Sequence, residues 1–173
     1  TIFYGTETID GALNELKPKV GDFVTIGKWV PNEQKEFLSY PISHSSSAYG
    51  INPGVTNALR GMQTTLAGQN PGLTKFMERF FKILGKEFAK PIDHHYEYFI
   101  SSRFAEDIFK SPTTKNTRFD IECLVYPSVG DKFLTSNVAF RNEIFRHNFH
   151  LEKVIQFEIT ETEYGKPVTF RDV

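Results

Sequence analysis

Two side chains near the start of the chain have the types and spacing for chemistry. Tyr4 ends the apolar run "TIFY", and Glu15 follows within "GALNELKP" (residues 11–18). A phenol beside a partly desolvated carboxylate suits a site that handles positive charge developing on a sugar. The carboxylate orients a ribose hydroxyl or stabilises an oxocarbenium-like centre, and the ring stacks on a planar group. The plain alternative is that Tyr4 packs and Glu15 decorates a helix surface, and spacing alone favours it.

A second stretch, "YPSVGDKFLTSNVAF" (residues 126–140), places Ser128 at the end of one strand pattern and Asn137 at the start of the next. Strand ends hold polar groups firmly yet leave them within reach of a ligand, although Pro, Ser, Gly, Asp and Asn are also ordinary turn residues. The remaining polar clusters carry less. His94 and His95 beside Asp93 invite a metal, but adjacent histidines point apart on a helix, so decoration of a helix start is expected. His147 and His150 could share a face but lack a partner motif, and no metal site is expected. The serine run at 43–47 before Tyr49 and Gly50 lacks the glycine spacing of a P-loop. Neither a G-x-S-x-G elbow nor a G-x-G-x-x-G fingerprint occurs. Cys123 sits in an apolar strand pattern, where a buried structural thiol is expected rather than a nucleophile.

The elements that must position these groups are legible as periodicities. Thr6 or Thr8 caps a helix in which Ile9, Ala12, Leu13 and Leu16 recur at i, i+3, i+4 and i+7, with Glu7 and Asp10 near its positive end. Glu15 falls on the flank of that stripe, about 60° from Ala12, and is expected to be semi-buried. Pro18 and Gly21 close the helix, and residues 23–30 read as a strand. Residues 31–72 are irregular, with one short helix expected near 55–67. A long helix follows with the stripe Leu73, Phe76, Met77, Phe80, Leu84 and Phe88, then another over 96–109. The run 119–126 alternates Phe119, Ile121, Cys123 and Val125 against Asp120 and Glu122, a half-buried strand. Strands at 137–140 and 153–160 complete the pattern, the last with Ile155, Phe157 and Ile159 inward. The expectation is a single α+β domain over 1–173, with a central, mostly antiparallel sheet packed by helices.

Composition agrees. The 173 residues are 39% apolar and 24% charged, a globular balance, and 17 Phe supply the core area. A net charge of −1 gives no nucleic-acid footprint. One cysteine excludes an internal disulfide framework. No apolar run approaches the ~20 residues of a membrane span, and a reducing cytoplasm is the default expectation.

Taken in order, these segments resemble the RES-domain family, whose pattern has an arginine on a first strand, then a tyrosine, then an Ala-x-x-Glu helix. "FYGTETIDGALNELKPKVGD" is similar to the middle of that pattern, with Tyr4, Ala12 and Glu15 in matching places. "YFISSRFAEDIF", "FDIECLVYPSVG" and "SNVAF" are similar to its downstream half, while residues 31–90 read as a variable insertion. The resemblance implies an ADP-ribosyltransferase-like fold and a toxin that consumes NAD, as its substrate, by hydrolysis or phosphorolysis, with a protein antitoxin as partner. It implies that Glu15 acts on the nicotinamide ribose, that Tyr4 lines the nicotinamide pocket, that Ser128 contacts the dinucleotide, and that Asn137 belongs with it. The chain departs from the pattern in showing no arginine ahead of Tyr4. Since it opens in mid-strand, an upstream segment carrying that residue is expected, with Arg60, Arg103 and Arg141 as candidate substitutes. The competing readings are a non-catalytic binding module of the same fold, transfer of ADP-ribose to a macromolecule, and an unrelated α+β protein. The irregular stretch from Pro31 to Pro71 is the expected partner surface.

Overall fold

The computed structural model of the chain describes residues 2–42, 52–66, 68, 71–88, 90, 99–110, 121–161 and 169–172. The serine run at 43–47, the His94–His95 pair, Tyr96 and Phe119 lie outside the described residues.

Described in chain order, the elements are β1 (Ile2–Thr6), α1 (Ile9–Leu16), β2 (Phe23–Pro31), β3 (Ser39–Pro41), α2 (Pro53–Leu66), α3 (Pro71–Phe88), α4 (Phe99–Lys110), β4 (Cys123–Pro127), β5 (Ser136–Arg141), α5 (Asn142–Asn148), β6 (Phe149–Glu161) and β7 (Thr169–Asp172). The fold is mixed α+β, and its strands form two sheets where one central sheet was expected. The first has the order β1-β5-β4-β3, antiparallel except for the parallel β3–β4 pair; the second has the order β2-β6-β7 and is antiparallel throughout.

The first sheet is covered on both faces. Leu124 and Ala139 pack with Ile42, Leu84 of α3 and Ala105 of α4 on one side. Val125 packs against Val55 and Leu59 of α2 on the other. Two-sided cover explains why Cys123 and Leu124, adjacent in sequence, are both buried, against the half-buried alternation expected for this strand. The second sheet covers one face only, where Val24, Phe157 and Ile159 meet Leu13 of α1. An aromatic seam joins the sheets: Phe3 stacks on Phe145, Trp29 meets both edge-on, and Phe140, Phe149 and Phe37 continue the cluster.

Helix α1 is capped as expected from its sequence, with Gly11 N–H donating to Thr8 Oγ1 at 3.0 Å. Its apolar stripe is only partly used. Leu13 is buried, whereas Ile9 and Leu16 are exposed, because an eight-residue helix touches the second sheet at a single turn. Phe76, expected on the inward stripe of α3, is likewise exposed, at the end of the helix far from Leu84. Elements β3, α5 and β7 were not foreseen. Among the described residues, no helix is long and apolar enough to cross a membrane.

Candidate functional site

The loop from β4 to β5 and the last turn of α1 are built against each other. Strand β4 ends at Pro127 and the chain turns through Lys132 and Phe133, both with positive φ (50° and 68°), before β5 begins. Ser128 is fully buried at the start of that turn. Its N–H donates to Thr135 O and its carbonyl accepts from Phe133 N. Asp131 ties the turn to the helix: Asn14 Nδ2 and Thr135 Oγ1 donate to its two carboxylate oxygens at 3.2 and 2.9 Å. Gly130 lies flat against α1. A Cβ there would stand 2.7 Å from Asn14 O and 3.0 Å from Glu15 N.

This packing delivers Glu15 to three donors. Its Oε1 accepts from the Ser128 hydroxyl at 2.5 Å, from Asn137 Nδ2 at 3.0 Å and from Gly130 N–H at 3.3 Å. Ser128 Oγ in turn accepts from Asp131 N–H at 3.2 Å, which leaves its own proton directed at Glu15. Because a carboxylate only accepts, Asn137 must turn its amide nitrogen toward Glu15 and its carbonyl away. Among the described residues, Glu15 Oε2 has no partner and Glu15 forms no ion pair. The residue is exposed rather than semi-buried: one oxygen is clamped at the protein surface while the other meets solvent.

The structure thus brings Glu15, Ser128 and Asn137 into direct contact. Tyr4 lies one register step away. Thr6 pairs with Asn137 and Tyr4 with Ala139, so Tyr4 and Asn137 share a face as diagonal neighbours, about 7–8 Å apart. The Tyr4 side chain is 57% exposed on the edge strand of its sheet.

The arginines do not converge on Glu15. Arg103 is exposed on α4 and pairs with Asp107 at 3.1 Å. Arg60 is exposed on α2. Arg141 stands on the same face as Asn137 but four residues along β5, roughly 13 Å at the strand rise. Two surface cavities among the described residues lie elsewhere. One, of about 240 Å³, is lined by Asn32, Glu33, Lys35, His147 and Asn148; the other, of about 370 Å³, by Leu16, Pro18, Asp22, Phe23, Val24 and Thr25.

The two histidines of the α5–β6 junction serve the fold. His147 Nδ1 bonds Glu143 O at 2.7 Å and His150 Nδ1 bonds Asn32 Oδ1 at 2.9 Å. Among the described residues, no group of three or more His, Cys, Asp or Glu is placed to hold a metal. Cys123 is buried, and that burial, with the charge of Glu122 beside it, pushes its thiol up to about 12. Sequence reasoning missed Gly130 and Asp131. Their "GD" pair inside a turn was visible, but it signals turns generally, and only the packed helix gives it a second role. No family model, curated protein or solved structure matches this chain.

Proposed function

We propose that the protein is a NAD-consuming enzyme of RES type that cleaves the nicotinamide–ribose bond. The observation that carries this reading is the three-donor clamp on Glu15 Oε1. In the reaction, the C1′–N bond breaks with both electrons leaving on nicotinamide, and the ribose becomes a cationic, oxocarbenium-like centre. Water or phosphate then adds at C1′. A carboxylate fixed in advance, with one oxygen saturated and the other facing outward, stabilises that cation more than it stabilises the neutral sugar, which is the differential binding catalysis requires. In this reading Glu15 is the catalytic residue and Asn137 and Ser128 hold it. Ser128, being buried, acts on NAD through Glu15, and the exposed Tyr4 ring supplies a wall for nicotinamide. A paired protein antitoxin rests on the resemblance alone, as does transfer of ADP-ribose to a macromolecule as a variant of the same chemistry.

The test is nicotinamide released from NAD by the protein, with and without phosphate, beside Glu15→Gln. Release reduced about 10²-fold or more by the substitution supports the reading, and its phosphate dependence names the acceptor. A second reading, a binding module without turnover, is favoured by the exposure of Glu15 and by the absence, among the described residues, of an ion pair between it and an arginine. A folded protein that binds ADP-ribose but releases no nicotinamide would support that alternative.

A further inference from the structure

Strand β2 is nine residues long and stands at the edge of the second sheet, with β6 on one side. Among the described residues nothing pairs with its other edge. A long, open edge is a template for another strand unless it is blunted; here Lys28, the irregularity at Lys28/Trp29 and Pro31 blunt only the far end of β2, and the outer face is bare. Phe23 is 61% exposed, Val154 53%, Leu151 45% and Trp29 40%. Just ahead of the strand, Val20 is 60% exposed.

We propose that β2 pairs with β2 of a second copy of this chain, antiparallel about a two-fold axis through Thr25. The residues that meet are fixed by that axis, and they are complementary. Asp22 faces the partner's Lys28, and Lys28 faces the partner's Asp22, giving two matched charge pairs. Phe23 faces the partner's Gly27. Leu151 Cδ1 and Trp29 Nε1 already crowd over Gly27, each 3.0 Å from where a Cβ would stand, so the incoming ring lands on exposed apolar groups. Facing residues share a sheet face in an antiparallel pair, and the assignment respects this: Phe23 and Gly27 both lie outward, while Val24 and Ile26 both lie on the face that meets Leu13.

A two-fold centred on Gly27 instead would set Lys28 against Ile26 and Pro31 against Phe23, matching no charges. Each charge already has one partner within one copy, and the pairs across the axis would add to these. Lys28 pairs at the surface with Glu152, and Asp22 accepts one hydrogen bond, from Lys19 N–H at Oδ2. The result is an isologous contact, the commonest kind among dimers, that joins two three-stranded sheets into one of six strands.

The experiment uses the full chain. Sedimentation velocity over a concentration series should show a monomer–dimer equilibrium. Asp22→Lys and Lys28→Asp should each weaken dimerisation about tenfold, and the double variant should regain most of the loss. Circular dichroism checks that each variant folds. Independently, Thr25→Cys places two thiols across the axis within disulfide reach. Mild oxidation should give a covalent dimer, while Thr64→Cys, an exposed threonine on α2, should not. The native Cys123 is buried and does not compete. A protein monomeric at every concentration, a dimer whose charge reversals are not rescued in the double variant, or cross-linking at Thr25 no greater than at Thr64 would each overturn the proposal.

Discussion

The side chain that organises the candidate site is Ser128 as much as Glu15. Its hydroxyl has one proton and two lone pairs; Asp131 N–H takes a lone pair and Glu15 takes the proton. Ser128→Ala therefore removes a donor from the carboxylate and leaves a backbone N–H without its acceptor, for a cost of about 1–3 kcal/mol. Thermal denaturation should register that loss. On the proposed reading, nicotinamide release should fall about 10²-fold, because Glu15 is free to leave the position the clamp gives it. Asn137→Asp should act differently, setting a second carboxylate against the first and repelling it outward. A serine variant that loses stability but keeps full turnover would separate the fold from the chemistry. At this scale the sequence was informative about residue identity and poor about environment. Glu15, Ser128 and Asn137 were all singled out, yet the exposure of Glu15 was not anticipated. Helical angle gives the flank on which a residue sits, and it is silent on how much of that flank the rest of the molecule covers.

At the scale of elements, α1 and the β4–β5 turn behave as one piece. Gly130 is the point of contact, and its value is the side chain it lacks. The neighbours a Cβ would meet are backbone atoms of Asn14 and Glu15, which cannot swing aside as a side-chain end would. Gly130→Ala should force the turn from the helix, lower stability by roughly 1–3 kcal/mol and lengthen the Gly130 N–H bond to Glu15. On the proposed reading the melting temperature and the nicotinamide assay should fall together, whereas Gly61→Ala, with open space around it inside α2, should leave the assay unchanged and raise stability by about 0.5–1 kcal/mol. Helices α3 and α4 were readable from their periods, α2 was expected only as one short helix near 55–67, and Phe157 and Ile159 were correctly turned inward. The short pieces were not. Strand β3 has three residues, too few for any alternation to show, and it exists because β4 offers it a parallel partner. Helix α5 interrupts what would otherwise be a direct passage from β5 to β6, and the aromatic seam around Phe145 holds it there.

At the scale of the whole molecule, strand β4 of the first sheet is covered on both faces, and this sets the response to alkali. Burial and the neighbouring Glu122 charge raise the Cys123 thiol from an ordinary value of 9.0 to about 12. Below about pH 9 the thiol is protonated whether the chain is folded or not, so it contributes no pH dependence. Between about 9 and 12 the unfolded chain releases a proton that the folded chain keeps. Stability must then fall as pH rises, by at most about 1.4 kcal/mol per pH unit from this one group. Tyr40, whose phenol burial also raises, adds to the decline above its ordinary value of 10.0. Urea midpoints measured from pH 7 to 11 should be level at first and then drop, and Cys123→Ala should flatten the early part of the drop. A thiol reagent should react with the wild-type protein only as it unfolds.

The strand register has a further consequence, in the order in which the chain is made. Thr6 bonds Ser136 across 130 residues of sequence, and β1 is held by β5. A ribosome that has reached the end of β4 has released Tyr4 and Glu15, but neither Asn137 nor the strand against which β1 must lie. Ser128, Gly130 and Asn137, the three donors to Glu15, are all still to come. Such long-range closure is slow relative to local helix formation. The Glu15 cluster therefore comes into being only once β5 has been made, so a chain truncated within the β4–β5 turn would carry Glu15 and Ser128 but could not complete their union with Asn137.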